Sequence, residues 1–192
     1  MNLKKLLLFD EKVTWAIRLK DEESRFKPVA SFLAHSGDSW FIEMALFVLW
    51  LFSTGKLHQL TAFMAGAVAI LAILVLGIKF LIRRPRPEGE WGAIYRNTDP
   101  HSFPSGHAAR VAMLSVLAFA FDLPILGIVM VFWGLLVCLG RIWMGVHYLS
   151  DILAGILLGI IFAWGMSLLA PWIMRIIPWV FTNQTSLLQL FK

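Results

Sequence analysis

The chain has 192 residues, 59% of them hydrophobic, and a mean hydropathy of +0.75. This composition excludes an ordinary water-soluble domain, which is about half apolar. The formal net charge of +5 indicates basic loops beside a bilayer rather than a nucleic-acid-binding surface.

The N-terminal segment, residues 1–36, is charged and mixed in character. Leu6, Phe9 and Val13 recur at helical spacing with lysines between them, which is typical of an amphipathic helix on a membrane surface. A solvated N-terminal arm is the alternative. We therefore predict an interfacial segment followed by one membrane domain, residues 37–192.

Long uncharged runs follow this segment. Residues 60–78 form a run of 19 residues without a charge and residues 152–174 form a run of 23, and about 20 apolar residues in a helix cross a hydrocarbon core about 30 Å thick. The sequence predicts an all-α, polytopic membrane helix bundle of five to six spans. The tail, residues 172–192, is predicted to be interfacial, with a sixth, partial crossing as the alternative. The five predicted spans are 39–55, 60–82, 106–122, 124–141 and 151–171.

The alternation of these spans determines which loops share a membrane face. The loops 82–105 and 142–150 both lie on the face where the first span begins. They hold most of the polar residues that could perform chemistry, so we expect one pocket to contain side chains from both.

Basic residues end the second span in the segment KFLIRRPRP, residues 79–87. Lys79 and Arg83 are four residues apart and share a helical face, and Pro85 ends the helix. Basic residues beside a span are also ordinary membrane anchors, so this cluster alone does not define a site.

The third span begins in HSFPSGHAARVAM, residues 101–113. Ser105 is predicted to cap the helix, and Gly106 lets the backbone approach a ligand closely. Free N–H groups at a helix start bind anions, and His107 adds a titratable group there. A plain helix cap with an interfacial histidine is the alternative.

The fifth span begins in GRIWMGVHYLSD, residues 140–151. His147 and Asp151 are four residues apart, so the carboxylate can orient the imidazole and leave its other nitrogen as a base or nucleophile. Arg141 supplies a forked cation that matches phosphate oxygens. An interfacial salt bridge or a metal pair is the alternative, but no second acidic cluster completes a site for a hard cation. We predict no metal and no cofactor.

The three clusters together suit a phosphoryl group. Their cations and the helix N–H groups bind its oxygens, one histidine attacks phosphorus, and the other protonates the leaving oxygen. A covalent phosphohistidine would divide the barrier into two steps.

In order and spacing, these motifs resemble those of the type 2 phosphatidic acid phosphatase family, relatives of the vanadium haloperoxidases: K-x6-RP, PSGH and SR-x5-H-x3-D. Gly140 stands where the family has serine, which removes one hydroxyl contact. The resemblance implies that His147 attacks phosphorus, Asp151 orients it and His107 protonates the leaving group, without a metal. It implies phosphate binding by Lys79, Arg86, Ser105, Gly106 and Arg141.

The run PSGHAAR and the short loop before His147 resemble the small polyisoprenoid-diphosphate phosphatases of this family. Arg110 follows His107 by three residues, on a similar helical face, and we expect it to contact a second phosphate. A salt bridge to Asp99 or Glu88 is the alternative. The predicted activity is hydrolysis of a membrane lipid's phosphate or diphosphate ester, foremost a polyisoprenyl diphosphate.

Other functions remain as alternatives at this point. Within the class they are a phosphatidylglycerophosphate or phosphatidic acid phosphatase, and a phosphotransferase. Outside it they are a catalytically silent scaffold or a lipid transporter, although a silent relative is expected to lack a histidine or the aspartate. Gly155 and Gly159 have the spacing of small residues in tight helix packing, including a homodimer contact.

Lysine and arginine residues are distributed unequally between the two predicted faces. The face with the predicted site has 14 and the opposite face has 3; 11 remain on the first face without the three phosphate-binding cations. The positive-inside rule then predicts a cytoplasmic active site in a cell (inner) membrane. Many bacterial members that recycle cell-wall lipid carriers have an outward-facing site, so this prediction departs from the simplest analogy.

Overall fold

The computed structural model describes residues 3–19, 25–88 and 99–182, and regular structure within these ranges is helical. Beyond residue 182, the predicted interfacial tail lies outside the described residues. In chain order the described helices are α1 (Leu3–Ile17), α2 (Lys27–Ser36), α3 (Ser39–Phe52), α4 (Gly55–Ile82), α5 (Gly106–Ala120), α6 (Pro124–Trp143), α7 (Leu149–Ile176) and α8 (Pro178–Phe181).

Three of these helices, α4, α6 and α7, are long and apolar enough to cross a membrane, and α3 and α5 are shorter apolar helices. Each predicted span thus coincides with an apolar helix. Three of them are longer than predicted, and the smallest difference is at α6, which ends at Trp143 instead of residue 141. Helix α4 begins at Gly55. Helix α7 continues through Pro171 to Ile176, because proline is tolerated where neighbouring groups in a membrane bundle satisfy the freed carbonyl.

The outer surface of the bundle is apolar. Leu81, Ile125 and Phe132 are among the most exposed large side chains, at 82%, 79% and 66%. A water-soluble helix would place such residues toward a core. Their outward orientation is that of helices whose surroundings are lipid.

Helix α5 is enclosed by α4, α6 and α7. The two spaced glycines of α7 face it: a Cβ added at Gly155 would lie 2.4 Å from the Ser105 carbonyl oxygen, and one at Gly159 would lie 2.1 Å from that of Ala109. The two glycines therefore allow close packing of α7 on α5 within one chain. The homodimer contact remains a prediction. This contact brings the beginnings of α5 and α7 together.

The N-terminal segment is attached to the bundle more closely than the sequence indicates. Helix α2 packs on α6 through Ala30 and Ala34, which are buried. A Cβ on Gly140 would lie 2.8 Å from the Ala34 nitrogen and 3.0 Å from the Ala30 oxygen. The glycine at the family's serine position is therefore required by the close approach of α2.

Helix α1 is amphipathic, but its apolar residues are exposed and two of its polar residues are buried. Leu8 and Phe9 are 56% and 64% exposed, whereas Asp10 and Thr14 are buried. Its apolar face therefore points outward, as expected for a membrane-surface helix, and part of its polar face is turned toward the protein.

Candidate active site

The loops after α4 and before α7 meet at the start of α5. The Ser102 N–H donates to the Arg84 carbonyl at 2.9 Å, and the Ser105 N–H donates to the Asp151 carbonyl at 3.0 Å. One Arg86 nitrogen, Nη1, donates to the Val146 carbonyl at 2.8 Å. The structure thus brings together the two loops that the alternation of spans places on one face.

A single carboxylate lies between two of the predicted phosphate-binding cations. Asp99 Oδ2 accepts hydrogen bonds from Lys79 Nζ and, at 2.8 Å, from Arg86 Nη2. Both cations are buried, at 5% and 3% exposure. An anionic oxygen bound by two buried cations is the arrangement that a phosphate oxygen requires, so Asp99 occupies the position expected of such an oxygen.

His147 lies beside the same cations. Its Nε2 is 3.3 Å from Arg86 Nη1, and its Nδ1 is 3.6 Å from Asp151 Oδ2. The second distance joins the predicted pair in contact but is longer than a hydrogen bond. Both side chains are buried. The imidazole therefore has one nitrogen on the carboxylate side and the other on the cation side.

The surroundings of His147 favour its neutral form. Burial lowers the pKa of its imidazole well below the ordinary value, and the charges of Arg141, Arg86 and Lys79 lower this pKa further. Arg141, 1% exposed in the last turn of α6, is thus close enough to act on His147 electrostatically. A neutral imidazole retains the lone pair that a nucleophile needs.

The start of α5 has the predicted cap. Ser105 is fully buried, and its Oγ accepts a hydrogen bond from the Ala108 N–H at 3.4 Å. A Cβ at Gly106 would contact Val75 at 3.4 Å. The first turn of α5 therefore lies directly against α4, one helical turn from Lys79.

His107 has a partner that the motifs do not contain. Its Nε2 lies 2.6 Å from Asp38 Oδ1, and the other oxygen of Asp38 lies 3.0 Å from His35 Nδ1. Burial raises the pKa of Asp38, but hydrogen bonds and charge attraction from the two histidines outweigh this effect and lower it below its ordinary value. His107 therefore faces an ionised carboxylate.

A cleft of about 640 Å³ runs between α3, α4 and α5. At one end it is lined by His107, Arg110 and Lys79, and along its length by apolar side chains that include Leu71 and Leu76. An amphiphile with an anionic head and an apolar tail matches this distribution of polar and apolar walls.

Arg110 lies in this cleft but makes neither of the ion pairs considered from the sequence. Its guanidinium donates to the Gly37 carbonyl. The carbonyl belongs to the segment that also carries Asp38, so Arg110 and His107 both face the connection between α2 and α3.

Four further residues at the site were not predicted: Asp38, Asp99, Arg84 and Asp10. Arg84 is the clearest case, since Nη1 donates to Asp151 Oδ1 and Nη2 donates to Asp10 Oδ2, each at 2.8 Å. The sequence signal for Arg84 was its place in the RRPRP run. Asp10 and Asp38 carried no signal beyond being acidic residues in or beside apolar helices. Among the described residues, no three His, Cys, Asp or Glu side chains are grouped as metal ligands.

Residues 60–175 match the model of the PAP2 superfamily, which is more than half of the chain. The chain is 38% identical over 99 residues to the decaprenylphosphoryl-5-phosphoribose phosphatase of Mycobacterium tuberculosis, covering 50% of this chain and 52% of that protein. It thus spans about half the length of that relative. It is also 30% identical over 148 residues to the bacitracin transport permease protein BcrC of Bacillus licheniformis, covering 76% of this chain and 72% of the relative.

Another similar protein is the undecaprenyl-diphosphatase BcrC of Bacillus subtilis, 28% identical over 120 residues, which are 62% of each chain. Among solved structures, the fold is similar to a transmembrane PAP2 type phosphatidylglycerolphosphate phosphatase from Bacillus subtilis, with a TM-score of 0.67, 21% identity and 84% of each chain covered. It is also similar to LpxE of Aquifex aeolicus, with a TM-score of 0.62, 23% identity, and coverage of 81% of this chain and 92% of the other. At these identities the structures establish the fold.

Proposed function

This chain belongs to the PAP2 superfamily and is an integral membrane protein, and we propose that it hydrolyses a phosphate or diphosphate ester of a membrane lipid. The observation that carries the proposal is the cluster at the α4, α5 and α7 ends. There Lys79 and Arg86 hold one anionic oxygen beside His147. A phosphoryl group would replace the Asp99 carboxylate on these cations.

The proposed reaction has two steps and uses no metal. His147 Nε2 attacks phosphorus, the bond to the lipid oxygen breaks, and His107 donates a proton to that oxygen. Water then attacks the phosphohistidine, gives its proton to His107, and releases phosphate as the N–P bond breaks.

The remaining site residues stabilise charge in this scheme. Lys79, Arg86 and Arg141 bind the phosphate oxygens together with the N–H groups of the α5 start at Ser105 and Gly106. Asp151 stabilises the positive charge that develops on the attacking imidazole.

The proposed substrate is a polyisoprenyl diphosphate. The names of two relatives, an undecaprenyl-diphosphatase and a decaprenylphosphoryl-5-phosphoribose phosphatase, support a polyprenyl lipid. Arg110 provides a further cation in the cleft for a second phosphate. Replacement of Arg110 by alanine is expected to lower kcat/KM for prenyl diphosphates about 10-fold or more, because one charge-assisted contact is lost, and to affect prenyl monophosphates less. An equal loss on both would contradict the second-phosphate contact.

The test of the activity is phosphate release from farnesyl diphosphate and phosphatidic acid by the purified protein in detergent with a chelator. We expect release that the chelator does not reduce, and faster release from the diphosphate. Faster turnover of phosphatidylglycerophosphate or phosphatidic acid would assign the alternative substrate class. Loss of activity in the presence of the chelator would contradict the metal-free mechanism. Absence of phosphate release from every lipid would contradict the proposed phosphatase activity.

We propose that the active site faces the cytoplasm of an inner-membrane protein, because basic residues are concentrated on its face. Since α4 begins at Gly55, the connection between α3 and α4 is Ser53–Thr54. A reporter inserted there is expected on the external side. A cytoplasmic signal would place the active site outside, as in members that recycle cell-wall carriers.

A further inference from the structure

The start of α7, which carries Asp151, is capped by side chains of α1. Helices leave their first N–H groups without partners inside the helix. Thr14 Oγ1 accepts from the Leu149 N–H, and Asp10 Oδ1 accepts from the Ser150 N–H, each at 3.0 Å. Two separate contacts thus attach the N-terminal helix to this helix end.

Asp10 also holds Arg84. Its Oδ2 accepts from Arg84 Nη2 at 2.8 Å and from Ser150 Oγ at 2.5 Å, while Arg84 Nη1 donates to Asp151 Oδ1 at 2.8 Å. The side chains of Asp10, Arg84 and Asp151 are 10%, 16% and 0% exposed. The guanidinium therefore makes a partly buried, forked contact with two carboxylates, one from α1 and one from α7.

This fork selects the Asp151 oxygen that faces the histidine. Arg84 engages Oδ1, and Oδ2, which also accepts from the Tyr148 N–H at 2.9 Å, is the oxygen 3.6 Å from His147 Nδ1. Rotation of the carboxylate would break both hydrogen bonds. Without Asp10, Arg84 would lose the contact that fixes its second nitrogen.

We propose that Asp10 is a positioning residue that acts through Arg84 on Asp151, so that α1 contributes this one side chain to the site in addition to lying on the membrane surface. The inference rests on the proposed phosphatase activity. It assigns a role to a carboxylate about 140 residues away in sequence from the site it orients.

Asp10→Asn tests the proposal, because the amide retains the size of the side chain but loses the charge that holds Arg84. We expect kcat to fall about 10- to 100-fold, the range expected when reacting groups are misplaced by about 1 Å. KM is expected to change little, because the phosphate-binding cations do not contact Asp10. Asp10→Glu should recover part of the loss.

Two neighbouring variants serve as matched controls. Thr14→Val removes the other α1 cap of α7 and leaves the Asp10–Arg84–Asp151 chain intact, and Glu11→Gln removes an exposed negative charge from the same helix. Both are expected to keep kcat near the wild-type value. Hydrogen exchange of the peptide around Leu149 and Ser150 should quicken in Thr14→Val, which loses one cap, and change less in Asp10→Asn, whose amide oxygen can still accept from the Ser150 N–H.

The decisive comparison is between single and double variants of Asp10 and Arg84. Arg84→Lys keeps the charge but cannot fork between two carboxylates, so kcat should fall, and adding Asp10→Asn should lower it little further because both changes break one chain of contacts. Equal losses of kcat in Asp10→Asn and Thr14→Val, or fully additive losses in the double variant, would overturn the inference while leaving the activity established. Absence of phosphate release by the wild type would instead overturn the proposed function, and the inference with it.

Discussion

The two histidines of the site lie in different kinds of surroundings. His147 is buried beside Arg86 and against Asp151, which is contacted by Arg84 from the loop after α4 and lies in the first turn of α7, capped by Asp10 of α1. The side chain of His107 is 14% exposed at the cleft, and its partner Asp38 comes from the short connection before α3. The enclosed histidine is placed before any substrate arrives. The cleft histidine faces the space that the lipid substrate would occupy in the proposed reaction.

The largest expected effect is at the enclosed histidine. His147→Ala removes the proposed nucleophile, the imidazole that lies between Arg86 and Asp151. We expect kcat to fall on the order of 10⁴-fold or more, as when the nucleophile of other covalent hydrolases is removed. The measurement is lipid phosphate release by variant and wild type at equal folded concentration.

His101→Ala is the matched control for this change. His101 lies on the loop before α5, and its ring contacts Phe80 edge-on at 5.6 Å between centroids. We expect it to retain activity. Substantial turnover by His147→Ala would show that a different group attacks phosphorus.

The apolar helices and the motif residues could be predicted from the sequence because their signals are local. Uncharged runs long enough to span a bilayer define the helices, and alternation of the spans then assigns loops to faces. Lys79, His107 and His147 lie within short motifs whose internal spacing places functional groups on one helix end. For these residues, spacing along the chain was enough to predict that they lie at the candidate site.

The supporting residues could not be predicted because their partners are remote in sequence. Asp38 pairs with His107 across 69 positions, and Asp10 meets Ser150 across 140. Only the packing of α1 and α2 on the bundle brings them together. The packing of α2 also explains why Gly140 departs from the motif, because α2 approaches too closely for a serine Cβ.

The second effect concerns the cleft histidine and depends on the leaving group. Loss of a general acid typically costs about 10²- to 10⁴-fold. We expect His107→Ala to approach this loss on prenyl monophosphates and phosphatidic acid, whose alkoxide leaving groups need a proton. The loss should be much smaller on prenyl diphosphates, whose leaving group is an already acidic phosphate.

This dependence distinguishes the two histidines directly. His147→Ala should lose hydrolysis of every substrate. His107→Ala should lose more activity on monophosphates with alkoxide leaving groups than on diphosphates. Hydrolysis of p-nitrophenyl phosphate by His107→Ala should be affected as little as that of the diphosphate. The ratio of kcat values for monophosphate and diphosphate measures the difference. A uniform loss in His107→Ala would mean that it binds phosphate rather than protonating the leaving oxygen.

The smallest expected effect is on stability as a function of pH. Burial and the neighbouring cations hold the folded-state pKa of His147 below the ordinary value of 6.5, which applies in the unfolded chain. Between these two pKa values the unfolded state binds more protons. The free energy of unfolding therefore falls as pH is lowered through this window and changes no further, through this group, below the folded-state pKa.

His147→Gln removes this proton-binding group while keeping a polar side chain of similar reach. The difference in melting temperature between wild type and variant in detergent should therefore shrink as the pH falls from about 7.5 to below the ordinary histidine pKa of about 6.5. If the difference grew instead, Asp151 would be holding His147 in its charged form. His147 would then lack the free lone pair that the proposed first step requires.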